Sequence, residues 1–293
     1  MHTRLQAVAW SGSPARRTPI SVMARQPNLR LTLSNRPENV LVVRQVLTGV
    51  AEALSLSTVD SNDLFTAVTE ACNNVVLCAY DGLEGPMEVE LVASAGQIEA
   101  TVADRGKGVS ETSGEADGLG LHLIRAVARE VTIGARPGGG TNVAMSFDVA
   151  GAEDLPHAGE GVPPHAHTPA GPHVVVIEVG PEAIARRVLP EALTAIAANA
   201  HFTIDQLVNI NALGRALVAR TRGADCLQVL IDVSTRTLQI MVSPCGTVAE
   251  ALAELATDGY GALHVERLED GVLPADANTD KTLGLTVSQN VSA

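Results

Sequence analysis

Glu70 and Asn74 stand four residues apart in the run Glu70-Ala71-Cys72-Asn73-Asn74, inside a segment with helical apolar spacing. That spacing puts both side chains on one helix face. A carboxylate there can take or polarise a hydroxyl proton. An amide oxygen is a hard ligand suited to Mg²⁺, which binds few protein groups and keeps substrate phosphates. A second group, Asp104-Arg105-Gly106-Lys107-Gly108, directly follows an alternating apolar run. An aspartate at a strand end can accept a hydrogen bond from an exocyclic amine such as that of adenine. The two glycines permit turns closed to other residues and a close ligand approach. A third group, Asp117-Gly118-Leu119-Gly120-Leu121, opens a helix, where exposed N–H groups and the helix dipole favour an anion. It is not the GxGxxG fingerprint, and no βαβ unit surrounds it. A fourth, Gly140-Thr141, enters a final strand, where a hydroxyl could hold a water against the same base. Taken singly, these motifs read equally as a solvated polar face and common turns.

The elements that must position them fall in residues 28–150. A strand is expected over 29–34, then a helix over 37–54 with apolar residues at 40, 43, 47, 50 and 54. A second helix is expected over 60–79, with Asp60 or Ser61 as N-cap. Strands over 86–93 and 97–103 join through the tight turn Ser94-Ala95-Gly96. A glycine-punctuated loop, a helix over 119–130, and strands over 131–136 and 142–149 complete the block. This order predicts the α/β class: a two-layer sandwich with helices on one face of a mixed sheet.

In that order and spacing the four motifs resemble the GHKL superfamily of ATP-binding domains, the Bergerat fold. The run Val68-Thr69-Glu70-Ala71-Cys72-Asn73-Asn74-Val75-Val76, with Ala79-Tyr80 beyond it, is similar to the N box of the anti-sigma-factor serine kinases. The short loop before Gly118-Leu119-Gly120 also suits that family better than the long lids of sensor histidine kinases. The resemblance implies ATP and Mg²⁺ as cofactors, with Glu70 as catalytic base, Asn74 on Mg²⁺ and Asp104 on adenine. Gly106 and Gly108 become the glycines beside that aspartate, Gly118 and Gly120 the box that closes over the phosphates, and Thr141 the threonine near the base. Arg44 falls where family members contact a partner, and a solvated helix arginine is its other reading. The implied function is an anti-sigma regulatory factor that phosphorylates a Ser or Thr of a STAS-type anti-anti-sigma protein and, in its alternative complex, holds a sigma factor inactive. Two departures stand out. Cys78 replaces a histidine common in the family, and the acidic stretch Gly114-Glu115-Ala116-Asp117 stands where some members carry a basic residue that reaches the γ-phosphate. Lys107 or Arg105 would have to substitute. The alternative reading is therefore a nucleotide-gated protein that sequesters a sigma factor or another regulator without phosphorylating it.

Residues 1–27 hold four arginines and no acid and read as a flexible tail; Met23 is an alternative start. Residues 151–172 carry five prolines and four glycines with almost no large apolar side chains, the composition of a linker. His157, His165 and His167 lie in it without a scaffold to make them metal ligands. Residues 173–293 read as a degenerate copy of the first block. At an offset of 140, Leu227–Val242 matches Met87–Val102 in apolar alternation. Helices are expected over 181–199, 203–220 and 248–256, with Arg186 opposite Arg44. Strands are expected over 175–179, 262–268 and 282–287. The same offset sets Ile210 and Gly214 opposite Glu70 and Asn74, a shift of one gives Asn211 and Arg215, and Pro244 faces Asp104. Chance similarity of two α/β sandwiches is the other explanation.

The whole chain has 293 residues, 46% apolar and 18% charged, with 20 Lys plus Arg against 33 Asp plus Glu, a formal charge of −13. That composition is globular, and its acidity argues against direct nucleic-acid binding. Six aromatics leave few stacking platforms, and no apolar run is long enough to span a membrane. The four cysteines form no CxxC pair and read as reduced, buried thiols of a cytoplasmic protein. Pairing is expected either as a homodimer or between the two halves of one chain.

Overall fold

The computed structural model describes residues 26–108, 119–150, 173–221, 225–245, 263–268 and 282–289. The expected tail up to residue 25, the linker with its histidines, the acidic stretch before Gly118, Gly118 itself and the helix expected over 248–256 lie outside the described residues.

The first half runs β1 (Leu29–Ser34), α1 (Pro37–Ala53), α2 (Thr58–Asn74), a π-helical turn Val75–Ala79, β2 (Pro86–Ser94), β3 (Gln97–Asp104), α3 (Leu119–Val127), β4 (Glu130–Ala135) and β5 (Thr141–Asp148). The second runs β6 (Val174–Val179), α4 (Glu182–Asn199), α5 (Ile204–Ala219), β7 (Leu227–Ser234), β8 (Thr237–Ser243), β9 (Leu263–Arg267) and β10 (Leu283–Gln289). The ten described strands join one sheet in the order β4-β5-β3-β2-β1-β6-β7-β8-β10-β9. Alternate strand residues such as Leu29, Leu31 and Leu33 turn inward and meet the buried stripes of the helices.

Every described strand pairing is antiparallel, which corrects the mixed sheet. Two helices between β1 and β2 return the chain to the end of the sheet it left, so β2 runs back beside β1. The single helix α3 makes β3 and β4 run the same way, but β5 inserts between them.

The strand order reads the same outward from the β1–β6 pair in both directions, and the registers repeat as well. Leu31 pairs with Val89 as Ile177 pairs with Val229. Val89 pairs with Val102 as Val229 with Val242, and Ala100 with Met145 as Ile240 with Leu285. For β2, β3 and β5 the offset is 140; for β1 it is 146, and for β4, whose Val131 faces Met145 as Arg267 faces Leu285, it is 136. The helices keep 146. Buried Val42, Val43, Val46 and Leu47 of α1 correspond to buried Val188, Leu189, Ala192 and Leu193 of α4. Likewise Leu64, Ala67, Ala71 and Cys72 of α2 correspond to Ile210, Leu213, Leu217 and Val218 of α5. The left-handed residue after the first helix falls at Ser55 (φ 52°) and His201 (φ 65°), the same offset apart. This corrects the single offset of 140: Ala216 and Arg220 stand at the places of Glu70 and Asn74, and Pro190, not Arg186, at that of Arg44.

The halves meet through β1–β6 and through α1 against α4. Arg30 bridges Glu90 at 2.7 Å and Glu178 at 3.0 Å across that seam. A methyl on Gly49 would lie 2.7 Å from the carbonyl oxygen of Arg187, so only glycine lets the two helices approach this closely. No helix among the described residues is long and apolar enough to cross a membrane.

Candidate functional site

Helix α2 begins one turn earlier than expected. Ser57, not Asp60 or Ser61, is its N-cap, and the Ser57 hydroxyl accepts the Asp60 N–H at 3.1 Å. Leu64, Ala67, Val68, Ala71 and Cys72 turn into the core. That leaves Glu70, half-buried, and Asn74, exposed, on another face, and α3 begins against it. A methyl on Gly120 would lie 2.8 Å from Glu70 Oε2 and 3.6 Å from Asn74 Oδ1. The bare glycine keeps open the space in front of both oxygens.

Beyond Asn74 the helix widens into the π-helical turn Val75–Ala79, an irregularity common at functional sites. The Ala79 carbonyl accepts the Lys107 N–H at 3.0 Å, and any side chain on Gly106 would collide with that carbonyl. Asp104 ends β3, only 3% exposed, and its Oδ1 accepts the Gly106 N–H at 2.8 Å. On the other side, Gly140 (φ 96°) lies so close to the Asp104 carbonyl that a side chain there would overlap it. Gly108 faces the Gly140 carbonyl, and Thr141 opens β5 in a half-buried position. Glu70, Asn74, Asp104, Gly106, Gly108, Gly120 and Thr141 are thus gathered around the C-terminal part of α2. Arg44 is exposed on α1, which packs against both α2 and α4.

A family model described as "Histidine kinase-like ATPase domain" matches residues 33–147. The serine-protein kinase RsbW of Bacillus pumilus is 30% identical over 137 residues, covering 40% of this chain and 83% of the relative. This chain belongs to the anti-sigma-factor serine kinase family of histidine kinase-like ATPases. RsbW of Bacillus licheniformis is 33% identical over 115 residues, covering 33% of this chain and 72% of its own length. The anti-sigma F factor of a Thermoanaerobacter species is 25% identical over 130 residues, covering 40% and 91%. All three likenesses account for 40% or less of this chain.

The charged groups of this family member's site are tied to one another. Glu88 binds Arg136 at 2.6 Å and Arg105 at 3.3 Å. Burial pushes the Glu88 carboxyl up, but Arg136 and Arg105 outweigh it and hold the group below its ordinary value. Lys107 pairs with Asp81. Both cations of the Asp104–Gly108 loop are therefore engaged with carboxylates. Cys72 and Cys245 are buried and Cys226 is half-buried; Cys78 is exposed, unlike the expected buried thiol, because the π-helical turn leaves it on the outer side.

Among the described residues no cluster of three His, Cys, Asp or Glu side chains is placed to hold a metal. The donors that face Gly120 are one carboxylate and one amide oxygen. This hard and sparse pair fits Mg²⁺ shared with phosphates. Sequence reasoning quoted Tyr80 within the N-box run without giving it a role. Its hydroxyl accepts the Arg105 N–H at 2.8 Å and donates to the Pro86 carbonyl at 2.5 Å. Its one sequence signal is a lone tyrosine at the end of a helix in a chain with two tyrosines.

Proposed function

We propose that the protein is an ATP- and Mg²⁺-dependent protein serine/threonine kinase acting as an anti-sigma regulatory factor on a STAS-type anti-anti-sigma protein. The supporting observation is the convergence of Glu70 and Asn74 on the bare Gly120, with buried Asp104 ending the neighbouring strand. Asp104 would accept from the exocyclic amine of adenine, with Gly106, Gly108 and Thr141 lining the same end. Asn74 Oδ1 would hold Mg²⁺, which neutralises phosphate charge when bound, and the Gly118–Gly120 segment would close over the phosphates. Glu70 would take the proton of the acceptor hydroxyl as its oxygen bonds to the γ-phosphorus and the bond to the β-phosphate oxygen breaks, leaving ADP. Such a transfer depends mostly on positioning and charge neutralisation. Arg44 would lie on the partner-facing surface, and the protein would work in the cytoplasm.

The second half would be a copy of the same domain that has lost its ligand groups and takes the place of a second subunit. Ala216 and Arg220 at the places of Glu70 and Asn74, and Pro244 at that of Asp104, support this reading. The domains would then be 28–150 and 173–293, joined by 151–172.

The pairing of Lys107 with Asp81 and of Arg105 with Glu88 favours a second reading, nucleotide-gated sequestration without transfer, because neither cation is left for a γ-phosphate. Incubation with γ-labelled ATP and a STAS protein separates the two. Label on the STAS protein that disappears in Glu70→Ala supports the kinase. ATP binding with no transfer supports the gated binder, and no ATP binding overturns both.

A further inference from the structure

We propose that Tyr80 is the positioning residue for the adenine end of the site: its hydroxyl takes over one rung of the β2–β3 ladder and fixes the direction in which the Asp104–Gly108 loop leaves the sheet. This rests on the ATP-binding reading and adds to it the residue that shapes the base pocket.

The β2–β3 register ends with Met87 opposite Asp104. The next residues, Pro86 and Arg105, would face each other across the following rung. Pro86 has no N–H to give. The Tyr80 hydroxyl stands between the two instead, accepting from Arg105 N–H and donating to the Pro86 carbonyl. The strand ends are held apart by the width of a hydroxyl, and the chain after Asp104 turns toward α2. There it meets Ala79, the neighbour of Tyr80, whose carbonyl takes the Lys107 N–H and against which Gly106 is pressed. Two adjacent residues of one turn thus hold two points of the loop.

The ring itself is fixed. A methyl on Gly85 would overlap three of its carbons, so the glycine marks where the ring lies. Burial pushes the Tyr80 phenol up, so the hydroxyl keeps the proton it donates at neutral pH.

The second half shows the arrangement without this device. The change of offset from 146 to 140 falls between α5 and β7, where six residues are missing relative to the first half. The shortened stretch, Val218–Asp225, holds no tyrosine. In the same register Pro244 occupies the place of Asp104. The tyrosine and the aspartate that it positions are absent together.

The test is the affinity of the full chain for Mg·ATP and Mg·GTP, measured by competition against a fluorescent adenine nucleotide. Tyr80→Phe deletes both hydrogen bonds and keeps the ring. Gly85→Ala keeps the hydroxyl and displaces the ring. Both are expected to weaken ATP by about 10-fold while GTP changes little, so that the preference for adenine shrinks. Ser57→Ala, at the far end of α2, lowers stability and is expected to leave both affinities unchanged. Unchanged ATP affinity in Tyr80→Phe overturns the proposal while the ATP reading stands. An equal loss for ATP and GTP also overturns it, since it shows general damage rather than base positioning. No ATP binding by the unaltered protein overturns the proposal together with the reading beneath it.

Discussion

Between Ala71 and Pro86 the first half runs through Asn74, a π-helical turn and the Tyr80 loop; between the corresponding Leu217 and Cys226 the second half has six residues fewer and no tyrosine. On either side of this stretch the described parts of the two halves largely coincide. Strands pair in the same order, with matching registers through β1, β2, β3 and β5 and through β6, β7, β8 and β10, the same positions of α1/α4 and α2/α5 are buried, and Ser55 and His201 adopt the same left-handed turn. Core packing depends on which positions are apolar, and it survives almost any exchange among Val, Leu, Ile and Ala of suitable volume. A ligand site depends on a few polar atoms and on the path of one loop, and at the places of Glu70, Asn74 and Asp104 the second half carries Ala216, Arg220 and Pro244. The comparison teaches that the two halves share what burial enforces and differ in what chemistry requires.

The largest expected effect tests that difference directly. Asp104→Asn should weaken ATP about 100-fold, the scale of losing a charge-assisted contact in a buried site, whereas Pro244→Asp should leave calorimetric stoichiometry at one nucleotide per chain. A second nucleotide in the Pro244→Asp protein would break the comparison. Next comes the seam. Gly49→Leu forces a side chain against the Arg187 backbone and should cost about 2–3 kcal/mol in urea unfolding. An unchanged midpoint would show that α1 and α4 do not hold the halves together.

A smaller effect exploits a residue that differs between the halves. Burial pushes the Cys72 thiol from 9.0 up to about 12, whereas the corresponding position in α5 is Val218. A raised value means that the native state keeps a proton the unfolded chain gives up. Stability from this group is intact below pH 9 and falls by about 1.4 kcal/mol per pH unit as pH rises toward about 12. Cys72→Val should flatten that alkaline decline in unfolding measured from pH 8 to 10.5. The smallest effect concerns the caps. Ser57→Ala and Thr203→Ala should each cost about 1 kcal/mol, since each removes the hydroxyl that caps its helix. Thermal unfolding of the two variants makes that comparison.

Apolar periodicity is enough to place the ten described strands and five described helices, usually within two residues, because burial of alternate or 3.6-spaced side chains is itself what makes those elements form. Motif spacing likewise singles out Glu70, Asn74 and Gly120, which the fold brings together. Residue types and order along one chain were sufficient there. What the one-dimensional pattern left open was whatever depends on a neighbour from elsewhere. Two sandwiches merging through β1 and β6 cannot be read from either strand alone, since an edge strand and a paired one have the same alternation. The change of offset within the second half was hidden because a helix matched on apolar spacing alone tolerates slipping its register, whereas a buried face does not. The sequence marks Tyr80 only as a tyrosine at the end of a helix in a chain with two tyrosines. A hydroxyl that replaces a ladder rung acquires its role only when Pro86 and Arg105, six and twenty-five residues onward, arrive on either side of it.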